Sequence, residues 1–132
     1  MKKIVLVLLA LVCLIMPLSV YATTGAGDTL LSDSQGNIND LALRVDELVG
    51  RVDSAKPTGT AVEQRRQLHT LRNEIDMLDN EIDLLDDKHK LAYLSSAISW
   101  EDYRALEREL DKLEDKLDKA EDRLERTFHI HD

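Results

Sequence analysis

Residues 68–92 read LHTLRNEIDMLDNEIDLLDDKHKLA, and the spacing of their apolar side chains decides the fold. The intervals alternate between three and four positions, through Leu68, Leu71, Ile75, Leu78, Ile82 and Leu85, and the register continues at His89 and Ala92. A period of about 3.5 residues sustained over several heptads makes a narrow apolar seam along one side of a helix. This stretch therefore predicts a coiled-coil helix, which we expect to end at Leu94 or Ser95.

A second seam with the same period follows an interruption at Ser95 and Ser96. Its members are Tyr103, Leu106, Leu110, Leu113, Leu117, Ala120 and Leu124. Ser99 stands before an acidic first turn and predicts the N-cap of this helix, which should extend to about Thr127. The two seams are long enough to pack against each other.

Charges beside the seams indicate how the two helices pair. In a parallel homodimer of the first seam, acidic residues would face acidic residues, namely Glu74 with Asp79 and Glu81 with Asp86. When the second helix folds back antiparallel, one flank instead brings together residues of opposite sign, namely Glu74 with Arg123, Glu81 with Lys116 and Lys88 with Glu109. Exposed ion pairs are weak, but they select register and partner. We predict an all-α fold built on an antiparallel coiled-coil helical hairpin that turns between Ala97 and Ile98.

The opposite flank of the hairpin is acidic. Arg72 should meet Glu121 there, but the next two levels bring together residues of like charge, namely Asp79 with Glu114 and Asp86 with Glu107. Two interpretations are open. The flank is either a solvated acidic face or a surface that contacts a basic partner or a divalent cation.

A shorter helix should precede the hairpin. Its seam is Ile38, Leu41, Val45, Leu48 and Val52, which predicts a helix over Ile38–Ala55. Pro57 and Gly59 then break the helix, and Thr60 with Glu63 has the form of a capping box for the next one. A short connection favours packing beside the N-terminal half of the second helix, which would leave the hairpin tip protruding. Pairing with a second copy, to give a homodimer, is the alternative.

The N-terminal segment is typical of a signal for export. Lys2 and Lys3 precede an unbroken apolar run over residues 4–16, Pro17 ends it, and cleavage is expected after Ala22. An uncleaved membrane anchor is the alternative. We therefore divide the chain into a signal peptide (1–22), a flexible leader (23–36), a helical coiled-coil domain (37–128) and a His-containing tail (129–132). The predicted location is the periplasm or the extracellular space, with no membrane span after cleavage.

Composition limits the classes of partner. The chain has 132 residues and a formal net charge of -9, which disfavours nucleic acid and anionic membrane surfaces. The only cysteine, Cys13, lies in the signal segment, so the mature chain would have no thiol ligand or disulfide. A basic or apolar protein partner is the expectation.

Three groups of residues are candidates for function. Metal ligands could come from the C-terminal tail, and the hairpin register brings His69 near it, giving the set His69, His129, His131 and Asp132. The tip of the hairpin either plugs the turn or contacts a partner, and its members are Leu91, Tyr93, Leu94, Ile98, Trp100 and Tyr103. His89 at a core position could respond to pH or lean towards solvent.

No catalytic motif stands out, and the acidic residues lie on thin helices without a deep pocket, so we predict that the protein is not an enzyme. The general form is similar to small exported helical proteins, including the Spy-type periplasmic chaperones and metal-responsive helical hairpins. This resemblance covers Ile38–Thr127 as heptads and topology, and the Leu-Thr-x-x-Gln repeat of Spy-type proteins is absent. The leading function is that of an adaptor, assembly or structural envelope component that acts through protein contacts, without a cofactor. The alternatives are a metal-binding or stress-response protein that uses the C-terminal histidines, and a small helical chaperone.

Overall fold

A computed structural model of the chain describes the backbone of residues 2–129 and the side chains of residues 25–129. It contains three helices, α1 (Lys2–Ser54), α2 (Ala61–Leu94) and α3 (Trp100–Thr127), and no strand in the residues described. The predicted signal peptide (1–22) and the last residues of the tail (130–132) lie outside the described side chains. Within the described part of the chain, no helix has both the length and the apolar composition that crossing a membrane requires.

Local side-chain hydrogen bonds fix where α2 and α3 begin. The Thr60 hydroxyl accepts a hydrogen bond from the backbone N–H of Glu63, whose carboxylate accepts one from the backbone N–H of Thr60. Ser99 and Asp102 form the same reciprocal pair at the start of α3. Each cap satisfies backbone donors that the helix itself leaves unpaired. Both predicted caps are therefore confirmed.

The hairpin of α2 and α3 forms as predicted. All seven members of the α3 seam are buried, and so are most members of the α2 seam, while Leu68 and Leu85 are partly buried. The guanidinium of Arg72 lies 3.3 Å from the carboxylate of Glu121, which is the contact that the predicted register requires. The connection occupies residues 95–99, and the left-handed backbone of Ser96 (φ 59°) helps to reverse the chain.

The third helix packs on one flank of the hairpin and changes its ion pairs. Carboxylates of α2 bind arginines of α1, while cations of α3 bind aspartates of α1, giving the pairs Arg44–Glu81, Arg51–Glu74, Lys116–Asp46 and Arg123–Asp53. The predicted direct pairs of Glu74 with Arg123 and of Glu81 with Lys116 are therefore wrong, because α1 lies between the two members of each pair. At the third level, Gln35 of α1 donates to Glu109 over 2.7 Å, in place of Lys88.

Helix α1 also begins earlier than the sequence indicated. We expected a short helix from Ile38 after a flexible leader over residues 23–36, but residues 25–36 belong to α1. Ser34 is buried, and Leu30 and Leu31 are partly buried against the core. Tertiary packing thus outweighs the low helix propensity of this Gly- and Ser-containing segment.

The early start of α1 places it beside the turn of the hairpin. A Cβ atom built on Gly27 would lie 2.8 Å from the carbonyl oxygen of Ala97, so the backbones of α1 and the turn approach each other closely. The prediction of a protruding hairpin tip is therefore wrong. The described part of the molecule is a three-helix bundle in which α1 runs along the hairpin from the turn to the open end.

The close approach at Gly27 gives a stability prediction. Replacing a helical glycine with alanine normally stabilises by up to about 1 kcal/mol through backbone entropy. Gly27→Ala should instead destabilise by about 1 kcal/mol, because the new methyl group overlaps the Ala97 carbonyl. Urea unfolding measures the change, and amide hydrogen exchange over residues 26–35 should accelerate.

Gly36→Ala is the matched control, since a Cβ at Gly36 would meet no atom within 4 Å. It should stabilise the protein. Equal gains from both substitutions would contradict the packing of α1 against the turn.

Candidate functional site

An acidic groove runs between α2 and α3 on the flank that α1 leaves open. We define it by Asp79 and Asp86 of α2 and Glu107 and Glu114 of α3, the four carboxylates predicted to meet there. Its deepest part is a cleft of about 100 Å³ lined by Ile82, Asp83, Asp86, Glu107, Leu110, Asp111 and Glu114. Arg104 binds Glu107 near the turn, and Arg72 binds Glu121 and Glu125 at the open end, whereas Asp79, Asp86 and Glu114 form no salt bridge among the described residues.

The carboxylates of the acidic groove are held in an unfavourable environment. Burial raises the pKa of Asp79, Asp86 and Glu114 above their ordinary values, and the neighbouring carboxylates raise it further. The nearest strong repulsion on Asp86 comes from Glu107, and Asp79 acts in the same way on Glu114. One oxygen of Asp86 is buried and has no hydrogen-bond partner among the described residues. The groove therefore costs folding free energy.

Neutralising one of these carboxylates should stabilise the fold. Asp79→Asn removes a partly buried charge that neighbouring carboxylates repel, so we expect a gain of a few tenths to about 1 kcal/mol at pH 7. A raised pKa means that protonation favours the folded state, so the gain should shrink as the pH falls through the raised pKa towards 3.8 and below. Urea unfolding across this pH range measures it.

Asp46→Asn is the control, since Asp46 lies 2.6 Å from the ammonium of Lys116. That change should give no gain in stability. An equal gain from both variants would mean that net charge alone, and not the acidic groove, causes the effect.

The aromatic residues at the turn form one cluster that is partly open to solvent. The rings of Tyr93, Trp100 and Tyr103 lie 5.3 to 5.7 Å apart between centroids, and Tyr93 stacks nearly parallel on Tyr103. Trp100 is 50% exposed, and the guanidinium of Arg104 lies over its ring. Ile98, which we predicted as a contact residue, is buried in the core. A partner at the tip would therefore meet Trp100 but not Ile98.

His89 is an unusual member of the core. It is fully buried, and neither ring nitrogen has a hydrogen-bond partner among the described residues. The α1–α2 ion pairs set a register that brings His89 level with Ser34 of α1, whose buried hydroxyl also lacks a partner. Burial lowers the pKa of His89, and Lys88 lowers it further. The interpretation of His89 as a solvated rim residue is therefore wrong.

His89 should make the fold sensitive to mild acid. Its folded pKa lies below its ordinary value of 6.5, so the unfolded chain binds a proton that the folded chain does not. Stability contributed by the neutral ring is thus present above pH 6.5 and is lost as the pH falls through the folded pKa. His89→Leu should remove this loss and should stabilise by about 1 to 3 kcal/mol at pH 7, because no buried ring N–H remains unpaired. Urea midpoints between pH 5 and 8 measure both effects.

The control for this prediction is His69→Gln, because His69 is exposed on α2 and its ring bonds to Asn73 at 3.1 Å. It should leave the pH dependence unchanged. Asp86, one turn before His89, acts in the opposite direction as the pH falls through its raised pKa, and both variants keep it. An acid response that survives in His89→Leu would show that another group causes it.

Only His69 and His129 of the four predicted metal ligands lie in the described residues, so the predicted metal site stays a prediction. His69 bonds to Asn73, and His129 is exposed after the end of α3. His131 and Asp132 lie outside the described residues. Over residues 25–129, no three His, Cys, Asp or Glu side chains form a group that could hold a metal ion.

One surface was missed by the sequence analysis. Met77, Leu84 and Leu91 are exposed on the outer face of α2, one heptad apart, and Leu94 continues the same face. Their spacing of seven was visible in the sequence, but it was hidden by the stronger seam, whose residues Leu78, Leu85 and Ala92 directly follow them in the chain. Another cleft, of about 510 Å³, lies where α1 ends beside α2, and two of its charged residues, Arg51 and Glu74, bind each other.

Comparisons with protein-family models, with curated proteins and with solved structures found no match to this chain. Its function is therefore argued from the surfaces described above.

Proposed function

We propose that this chain is an exported, non-enzymatic protein that acts through contacts with other proteins, as an adaptor, an assembly factor or a structural component of the cell envelope. The observation that carries the proposal is the acidic groove. Its carboxylates repel one another and are partly desolvated, so they reduce the stability of the fold. Charges that oppose stability are characteristic of positions with a role in recognition.

The chemistry of the acidic groove favours a basic protein segment as the ligand. Lys or Arg side chains laid along it would relieve the repulsion between Asp86 and Glu107 and between Asp79 and Glu114. Because the groove follows the hairpin, its shape suits an extended or helical segment rather than a small molecule. Charge complementarity of this kind accelerates association and excludes acidic partners.

The bundle gives less support to a chaperone or to an enzyme. A chaperone for unfolded clients needs a broad concave apolar surface, whereas the three seams here bury one another. An enzyme needs convergent reactive groups in a dry pocket, whereas the carboxylates of the acidic groove stand along an open flank.

Export is the second part of the proposal. The basic and then apolar segment over residues 2–16 supports it, and the mature protein would begin at Thr23. Its α1 would then keep Leu30, Leu31 and the whole seam from Ile38 to Val52, all of which pack on the hairpin. Removal of the signal therefore leaves the described bundle intact.

Site-specific photocrosslinking in exporting cells tests both parts. A photoreactive residue at Glu114, in the acidic groove, should capture a basic protein, whereas one at the adjacent Asp115, which α3 presents to another side, should not. Replacing Asp79, Asp86 and Glu107 by their amides should reduce capture from position 114 at least tenfold, without loss of fold. The mass of the exported protein should correspond to a chain that starts at Thr23.

Two results would count against the proposal. The acidic groove would not be the binding site if positions 114 and 115 captured the partner equally. The same conclusion would follow if the amide variant left capture unchanged. A full-length chain that remains in the cytoplasm would contradict the proposal of export.

A further inference from the structure

A second seam lies on the outer face of α2. We call it the outer stripe and define it by residues at alternating intervals of three and four: Thr70, Asn73, Met77, Asn80, Leu84, Asp87, Leu91 and Leu94. All eight are exposed, and the four apolar members keep 62% to 69% of their surface in solvent. The spacing equals that of the buried seams, so the stripe has the period of a coiled-coil contact.

The outer stripe differs from the corresponding face of α3. The α3 residues at the same positions relative to its own seam are Ala105, Arg108, Lys112, Asp115, Lys119, Asp122 and Arg126, and six of these seven are charged. Only Asp87 is charged in the outer stripe. Solvent contact alone explains the face of α3, but it does not explain three leucines and a methionine in line on α2.

We propose that the outer stripe binds a second copy of this chain, with the two α2 helices antiparallel. This inference goes beyond the proposed function, because it concerns another face of α2 and a different partner. Its basis is the charge pattern beside the stripe. Lys88 and Lys90 lie on either side of it, and neither forms a salt bridge among residues 25–129, although Lys90 lies near enough to Asp86 to lower the pKa of that carboxyl.

One antiparallel register satisfies these charges. It places Met77 level with Leu94 of the second copy, Leu91 level with Asn80, and Leu84 level with Asp87. The flanking pairs are then Lys88 with Glu81 and Lys90 with Asp83, each formed twice by the two-fold symmetry. All four contacts join opposite charges.

Neighbouring arrangements do not satisfy the charges. A shift of one heptad in one direction brings Asp83 against its own copy, and a shift in the other direction brings Lys90 against its own copy. A parallel dimer in register places Asp87 against Asp87 within the contact. The sequence beside the outer stripe therefore selects one orientation and one register.

Sedimentation equilibrium of the mature chain, residues 23–132, across a dilution series tests the proposal. The wild type should show a monomer–dimer equilibrium. Leu84→Glu should weaken dimerisation at least tenfold, because it sets a carboxylate against Asp87 at two levels, and Asp87→Leu should strengthen it at least tenfold. Val62→Glu is the matched control, since Val62 is equally exposed on α2 but lies outside the stripe.

Charge exchange and crosslinking test the register. Lys90→Asp and Asp83→Lys should each weaken the homodimer, and an equimolar mixture of the two variants should recover dimers. Because the mature chain has no cysteine, Met77→Cys mixed with Leu94→Cys should give a disulfide-linked heterodimer on mild oxidation, whereas Met77→Cys alone should not.

A chain that stays monomeric at every concentration overturns the proposal. A dimer that persists in Leu84→Glu, or a disulfide-linked dimer formed by Met77→Cys alone, also overturns it. Circular dichroism of each variant should match wild type, because every substituted side chain is exposed. The amide variant of Asp79, Asp86 and Glu107 should still dimerise. The experiments therefore distinguish a failure of the proposed partner binding in the acidic groove from a failure of the proposed dimerisation through the outer stripe.

Discussion

The position of α1 on one flank of the hairpin determines the character of the rest of the surface. Its seam residues are at most 3% exposed, so the α1 seam is the most completely buried of the three seams. Four ion pairs fix its register, two to α2 and two to α3. Arginine and lysine residues beside the seams gather at this flank. The opposite flank is left with carboxylates, and the acidic groove follows from this asymmetry.

Near the turn, the core of the bundle contains polar groups that lower the stability of the fold. Ser34 and His89 both lie where the heptads call for an apolar side chain, and both are buried without hydrogen-bond partners among the described residues. A buried polar group of this kind costs about 1 to 3 kcal/mol, and its protonation costs more. The same end of the molecule holds the close contact of Gly27 with Ala97 and the aromatic cluster around Trp100. The turn end is therefore the part of the bundle whose stability depends most on pH.

The sequence predicted the hairpin well because its determinants are local or periodic. The seams, both capping boxes, the turn near Ala97 and the contact of Arg72 with Glu121 were all readable from spacing and charge. The sequence did not predict where α1 packs on the hairpin. The complementary charges on α2 and α3 indicated direct ion pairs between these two helices. The same charges are equally well neutralised by Asp46, Asp53 and the arginines of α1. A two-helix interpretation cannot distinguish direct pairs from pairs bridged by a third helix.

The start of α1 and the outer stripe were missed for related reasons. Residues 25–36 have poor helix propensity, and only their contact with the hairpin makes them helical, which no local signal reports. The outer stripe was readable in principle, but an apolar residue seven positions from the next is easily assigned to a core when a stronger seam runs beside it. Leu84 and Leu85 are adjacent in sequence, yet only Leu85 contacts the core.

The three flanks of α2 differ in a way that bears on function. One is closed by α1, one carries carboxylates that repel each other, and one carries the outer stripe, in which only Asp87 is charged. The acidic groove and the outer stripe lie on different sides of the helix, so both can be occupied at the same time. An antiparallel dimer through the stripe would carry two grooves related by a two-fold axis. A partner with two basic segments would then bind far more tightly than a single groove allows, because the second contact forms at high effective concentration.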